Sequence, residues 1–272
     1  MKITKVWAVY FSGTGTTKKL VEALADTAAV ELGAPSAVHD FSLPEARERF
    51  PVFQADHLVF FGTPVYAGRV PNLLLKPLAA VRGGNAAAVP VALFGNRAYD
   101  DALIELRDIL AACGFRPFAA GAFVGEHSFS TTLGRGRPDG ADMALAQDFA
   151  RKAARKIAAA ESPGLITVKG TPAPYRGYYQ PRDRQGNPID IRKVKPETSD
   201  GCTNCKVCAE ICTMGSINRD NVRDIPGICI KCCACVKGCP RGAKFFSDKN
   251  FLYHQHELEA QFSRRAEPEV FL

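Results

Sequence analysis

Nine of the chain's ten cysteines fall within 38 residues: Cys202, Cys205, Cys208, Cys212, Cys229, Cys232, Cys233, Cys235 and Cys239. Only Cys113 lies outside. Eight of the nine form two runs of one pattern, C-x2-C-x2-C-x3-C, and each cysteine of the first run has a counterpart 27 positions later. Gly215 and Gly242 obey the same offset, which marks an internal duplication. Thiolate is the soft ligand that proteins offer to iron, and each iron of a cubane needs one terminal ligand. Three cysteines at spacing three can wrap a short loop around one cluster, and the fourth must arrive from elsewhere. Structural zinc, with four ligands commonly in paired C-x-x-C elements, leaves two evenly spaced triplets unexplained. Clustered thiols in a chain without a secretory segment point to metal chemistry before disulfides. Cys233 stands outside the pattern and reads as a small buried residue.

A second candidate site follows the first apolar run, where the chain reads Ser12-Gly13-Thr14-Gly15-Thr16-Thr17-Lys18-Lys19 before an amphipathic segment. Hydroxyls and backbone N–H groups at a helix N-terminus make an anion site. The Walker spacing is absent, and Lys18 stands where a dinucleotide fingerprint needs its third glycine. On its own the segment also suits a capped strand–helix turn. Two further loops follow apolar runs: Thr63-Pro64-Val65-Tyr66-Ala67-Gly68-Arg69 and Gly95-Asn96-Arg97-Ala98-Tyr99-Asp100. Their tyrosines either flank a ligand or cover loop tips. Glu126-His127-Ser128 could line the same site. No Ser/His/Asp arrangement is apparent, and His254 and His256 are expected to be solvated rather than metal-binding.

The elements that must position these groups alternate through residues 1–160, as β/α units around a parallel sheet do. Strands are expected at Lys5–Phe11, Ser36–Asp40, His57–Gly62, Pro90–Gly95 and Phe118–Val124. Continuous apolar runs such as Leu58-Val59-Phe60-Phe61 suit strands buried on both faces. Pro90 fits only at a strand's first residue or at an edge. Helices are expected at Thr17–Leu32, Pro71–Val81, Asp100–Cys113 and Asp139–Ala160. The last buries Leu145, Phe149, Ala153 and Ile157 as one stripe and is stopped by Pro163 and Gly164. Residues 161–196 read as a linker rich in proline and glycine, yet carry Tyr175, Tyr178 and Tyr179. That aromatic content predicts a segment lying along the first domain.

The two cysteine runs resemble those of bacterial two-cluster ferredoxins. The resemblance implies one [4Fe-4S] cluster on Cys202, Cys205, Cys208 and Cys239, and another on Cys229, Cys232, Cys235 and Cys212. Thr213 stands where the second run has Pro240 and departs from the family pattern. The loop of Ser12, Thr14, Gly15 and Thr17 is similar to the hydroxyl-rich phosphate loop of flavodoxins. That likeness implies a doubly wound five-stranded parallel sheet of order 2-1-3-4-5, with FMN at the switch between strands 1 and 3. It implies a flavin bound by residues 12–17, by Thr63, Pro64, Val65, Tyr66, Ala67 and Gly68, and by Gly95, Asn96, Arg97, Tyr99 and Asp100. Tyr66 is the stacking candidate, and Asn96 would bond the ring's polar edge. The whole chain looks like a flavodoxin–ferredoxin fusion of anaerobic bacteria and archaea. It is expected to comprise a flavodoxin-like α/β domain (1–160), the linker (161–196), a small α+β ferredoxin-like domain (197–250) and a tail (251–272).

The composition, 46% hydrophobic and 23% charged, excludes a disordered chain. No apolar run approaches the ~20 residues of a membrane helix, and the short apolar start lacks a cleavage site. A cytoplasmic protein is expected. The formal charge of +7 is spread over both halves without a basic block, so nothing points to nucleic acid. Three redox centres imply an electron relay between clusters, FMN and ferredoxin-linked partner oxidoreductases. Lys231, Lys237, Arg241 and Lys244 either dock an acidic partner or form a solvated face. An FMN-dependent reductase of a quinone, nitro compound or flavin, fed by its own clusters, is the alternative, and a redox sensor the third. If the linker separates the centres, transfer would run between subunits of a homodimer.

Overall fold

A computed structural model describes residues 1–159 and 164–272. The first part lays down β1 (Lys5–Tyr10), α1 (Thr16–Leu32), β2 (Ser36–Asp40), β3 (His57–Pro64), α2 (Asn72–Ala79), β4 (Ala87–Phe94), α3 (Ala102–Ala112), β5 (Arg116–Pro117), β6 (Ala120–Val124) and α4 (Gly140–Ala159). The second contributes β7 (Glu197–Thr198), α5 (Val207–Glu210), α6 (Ala234–Lys237), β8 (Lys244–Phe245), α7 (Lys249–Gln261) and β9 (Glu269–Phe271). The main sheet runs β2-β1-β3-β4-β6-β9. Its first five strands are parallel, with registers such as Val6 opposite Leu58, Phe60 opposite Val89 and Ala92 opposite Ala122. This is an α/β fold with the flavodoxin-like strand order, in which the switch point falls between β1 and β3.

Alternation along β1 sorts the two cores. Val6, Ala8 and Tyr10 pack under α1 and α4, while Val9 and Phe11 pack under α2 and α3. β3 and β4 lie inside the sheet and are apolar on both faces, as burial between two helical layers requires. Three expectations need correction. Pro90 lies inside β4 rather than at its start. It is tolerated because the neighbouring strand is interrupted there: Ala87 and Ala88 pair with β5, Val91 to Phe94 pair with β6, and the residues between pair with neither. The strand expected over Phe118–Val124 is shorter, β6 starting only at Ala120, and the two-residue β5 precedes it. On α4, Leu145 is 38% exposed while Ala146 is buried beside Phe149, Ala153 and Ile157. A four-residue step outruns the 3.6-residue turn, so one stripe cannot hold all four positions. The expected helix end at Ala160, the stop at Pro163 and the boundary between residues 160 and 161 lie outside the described residues.

Residues 164–196 form no helix or strand; those from Ile166 to Tyr179 lie against the sheet layer, while Arg184 and Arg192 meet α7 and the second cysteine loop. Tyr175 Oη donates to Asp108 at 2.8 Å, and Tyr178 Oη donates to the Val70 carbonyl at 2.9 Å. Arg69 stacks over both rings. The cysteine-rich part has two-fold local similarity in its backbone: Asn204 and Lys231, Lys206 and Cys233, and Gly215 and Gly242 all have positive φ at the same 27-residue offset. Cys233 is therefore the counterpart of Lys206, at the left-handed entry to a short helix, and its side chain is buried. The C-terminal residues return to the sheet, where β9 pairs antiparallel with β6. Among the described residues no helix is long and apolar enough to cross a membrane.

Candidate functional site

The cysteines gather around two cavities, each drawing three from one run and one from the other. Cys202, Cys205, Cys208 and Cys239 line the first; Cys229, Cys232, Cys235 and Cys212 line the second, where Cys233, outside the repeated pattern, is a fifth lining cysteine. Backbone N–H groups reach the sulfurs in matched pairs. Asn204 and Lys231 donate to Cys202 and Cys229 at 3.4 Å, and Ser216 and Ala243 donate to Cys212 and Cys239 at 3.3 and 3.2 Å. Among the described residues no three His, Cys, Asp or Glu side chains are placed to hold a single metal ion. Four thiols spread around a space suit a larger body with several corners, and the all-sulfur donor set suits iron–sulfur chemistry. Burial pushes the Cys229, Cys232 and Cys235 thiols up, Cys235 to about 12. At Cys239 the slight burial is outweighed by backbone N–H groups of residues 241–244, and its thiol is pulled down.

The two cavities differ in surroundings. In the first, Cys205 is exposed, Cys202 and Cys239 are half-buried and Cys208 is buried; in the second, Cys212 and Cys229 are half-buried and Cys232 and Cys235 are buried. The second cavity abuts the C-terminal edge of the sheet. A Cβ placed on Gly13 would lie 3.1 Å from Cys232 Cβ and 3.4 Å from Tyr66 Oη. Ile230 packs against the core under α2 and α3. Thr213 Oγ1 lies 3.3 Å from Cys232 Sγ, and the Thr213 carbonyl accepts from Arg47. Tyr66 thus lies beside the cysteine loop; burial there pushes its phenol well above the ordinary range.

The loop from Ser12 to Thr17 fits an anion. Gly15 is left-handed and open to solvent, and α1 starts behind it. Among the described residues no protein acceptor takes the N–H groups of Gly13, Thr14, Gly15, Thr16 and Thr17, which is what an anion at a helix N-terminus uses. Ser12 Oγ accepts the Lys18 N–H at 3.1 Å and keeps its own proton to donate. At the end of β3, Thr63 Oγ1 is buried without a partner, an unmet group of the kind a ligand's polar edge satisfies. Val65 is tied to β4, Ala67 accepts from Tyr179 N, and Gly68 lies against Asp100.

The loop after β4 is differently engaged from what its sequence suggests. Asn96 Nδ2 donates to the carbonyls of Phe262 and Arg264 at 2.6 and 2.8 Å, and its Oδ1 accepts from Ala266 N. Tyr99 is 8% exposed in the core beside Phe94, with its hydroxyl donating to Glu269. Arg97 pairs with Asp100 and stacks over Tyr179, and Gly95 packs on His127. The fit for a flavin therefore rests on residues 12–17 and Thr63, not on the side chains of Asn96 and Tyr99. The C-terminal segment supplied the competing partners.

The same cover redirects other side chains. Lys237 reaches Glu126 Oε1 at 2.5 Å and the carbonyls of His127 and Ser130 at 2.8 Å. Lys231 donates to the carbonyls of Arg192 and Cys229, and Lys244 donates to that of Val222. Of the four cations near the second motif, only Arg241 is left exposed. His254 is not solvated: it is 8% exposed, stacked on Tyr179 and edge-on to Phe129, because α7 turns it towards the sheet. Phe129 and Phe251 meet at 4.7 Å in the same contact. Arg47 was not singled out by sequence, since it belongs to no motif; Thr213 carried a signal in replacing the proline of the second run.

The first part of the chain resembles solved flavodoxin structures. A flavodoxin from Streptococcus pneumoniae TIGR4 is 18% identical and covers 56% of this chain and 99% of its own, with a TM-score of 0.40. A flavodoxin from the domain Archaea is 15% identical and covers 57% and 99%, with a TM-score of 0.39. The rubredoxin oxygen:oxidoreductase of Desulfovibrio gigas is 18% identical over 58% of this chain and 38% of its own, with a TM-score of 0.40. No protein-family model and no curated protein matches the chain. The flavodoxin-like topology rests on strand order and register, not on these likenesses.

Proposed function

We propose that the chain is an electron carrier that holds two [4Fe-4S] clusters in its four-cysteine cavities and FMN at the C-terminal edge of its sheet. When bound, the clusters supply single-electron transfer and the flavin accepts one or two electrons. The observation that carries the reading is the approach of Gly13 and Tyr66 to Cys232, which sets the phosphate-loop candidate against the buried cavity within one chain. No second subunit is then needed to bring the centres together. The exposed Cys205 faces solvent and suits exchange with an external redox protein, such as a ferredoxin-linked oxidoreductase.

Each residue has a role in this reading. Gly13 to Thr17 offer N–H and hydroxyl donors to the phosphate dianion without a charged side chain pairing it. Thr63 would offer its hydroxyl to the ring's polar edge, and Tyr66, whose hydroxyl lies near Gly13, would be the stacking residue. Lys237, Phe251 and His254 hold the cover over this edge and exclude water. A reductase of small acceptors would need an opening there, and that cover favours a carrier. In this scheme residues 1–160 form the flavin-binding part, 161–196 a strap, 197–250 the cluster-binding part and 251–272 the closing segment.

Anaerobic preparation of the full chain tests the proposal. Brown protein with about eight irons and about one FMN per chain is expected, and a reduced ferredoxin should bleach the cluster absorption before the flavin absorption. Colourless protein holding only zinc would overturn it.

A further inference from the structure

Among the described residues Arg47 makes no ion pair, and the nearby Glu45 carboxylate acts on it only through space. Its Nε donates to the Phe41 carbonyl at 3.0 Å, and its Nη2 donates to the carbonyls of Ser42 and Thr213. Its guanidinium lies 5.1 Å from the centroid of the Phe11 ring. These acceptors are all neutral, and among the described residues no ion pair engages Arg47. Withdrawing a guanidinium from water costs free energy that carbonyls offset only in part, and a nearby anion offsets it further. The chain linking Arg47 to such an anion is short. Thr213 accepts from Arg47 through its carbonyl, is 1% exposed, and points its hydroxyl at Cys232 Sγ. At the matching place in the other run stands the exposed Pro240, with neither hydroxyl nor N–H.

We infer that Arg47 and Thr213 are positioning residues that raise the reduction potential of the cluster held by Cys212, Cys229, Cys232 and Cys235 above that of its exposed twin. The inference rests on the cluster reading given under Proposed function. Adding one electron makes an already anionic four-thiolate group more anionic, so a fixed cation and a hydrogen bond to sulfur favour the reduced form. The electron comes from the external carrier, which is oxidised; no bond forms or breaks and no proton is required. Electrons entering at the exposed cavity would then run downhill to the buried one, beside the flavin loop.

Anaerobic potentiometric titration of the full chain, followed by EPR, tests this. In Arg47→Met, the reduced-to-oxidised ratio of one cluster at fixed potential should fall roughly tenfold, or about 59 mV for one electron, while the other stays in place. The affected signal should be the one missing from Cys232→Ala. Thr213→Val should shift the same cluster in the same direction by less, and Thr213→Ser should restore it. Unchanged potentials in Arg47→Met with iron retained would overturn the inference. If Arg47→Met sheds iron, the Thr213 pair decides: a shift in Val reversed in Ser supports it, and none in either overturns it. Wild-type protein without iron overturns the cluster reading itself and this inference with it.

Discussion

The two four-cysteine cavities come from one repeat and share backbone conformation, N–H to sulfur contacts and three-plus-one grouping. Their surroundings differ. One has Cys205 in solvent; the other has Cys232 against Gly13, Tyr66 and Thr213. Duplication supplies equivalent ligand sets, and docking against the sheet makes them inequivalent. The difference is carried by residues outside the repeat pattern: Arg47, Ile230, and the Lys237–Glu126 contact that clamps the buried half onto the loops.

The largest effect should come from breaking one half at a time. Cys232→Ala and Cys205→Ala should each lower iron from about eight to about four per chain. Only Cys232→Ala should also weaken FMN retention and lower the melting temperature, read by flavin release and thermal unfolding. Equal losses in both variants would erase the distinction between the halves. Next, Gly13→Val forces a branched side chain into the 3.1 Å approach to Cys232. A cost of about 1–3 kcal/mol is expected from overpacking, with FMN affinity falling and the exposed cluster's potential unchanged.

A pH effect should mark the docked half. Burial, with the charges of His254, Lys237 and Arg97 adding to it, lowers the pKa of His127 to about 4, and burial with Arg97 lowers that of His254 to about 4. Both are neutral in the folded protein, whereas the unfolded chain takes up protons below about 6.5. The stability these two histidines contribute should therefore fall as pH drops from about 6.5 towards about 4 and change no further below, where the depressed carboxyl groups such as Glu126 and Glu259 take over the loss. His254→Phe should flatten that slope in pH-dependent unfolding, and an unaltered slope would remove His254 from the account. The smallest change concerns the strap: Tyr175→Phe loses its bond to Asp108 and should cost about 1 kcal/mol by denaturant unfolding, with the iron count untouched.

Much of this arrangement is legible in residue order. Continuous apolar runs mark β3 and β4, and the resemblance of the two cysteine runs to two-cluster ferredoxins implies the three-plus-one grouping seen in the two cavities. What escapes is what depends on distant chain. Asn96 and Tyr99 have the right types and place to meet a ligand, but residues 262–269 meet them first. Lys237 looks like part of a docking or solvated face, and His254 looks solvated, because no local pattern shows which surface α7 and the second cysteine loop will cover. Pro90 looks like a strand start because the break between β5 and β6 is invisible until the register is known. Local periodicity records which face is buried; it does not record the partner.

The most direct test is stepwise anaerobic reduction of the full chain, followed by visible absorption and EPR on the same sample. Three separable centres are predicted, one flavin and two clusters, with the cluster lost in Cys232→Ala reduced at the higher potential. Two clusters reduced together, or a flavin that never exchanges electrons with either, would contradict the account.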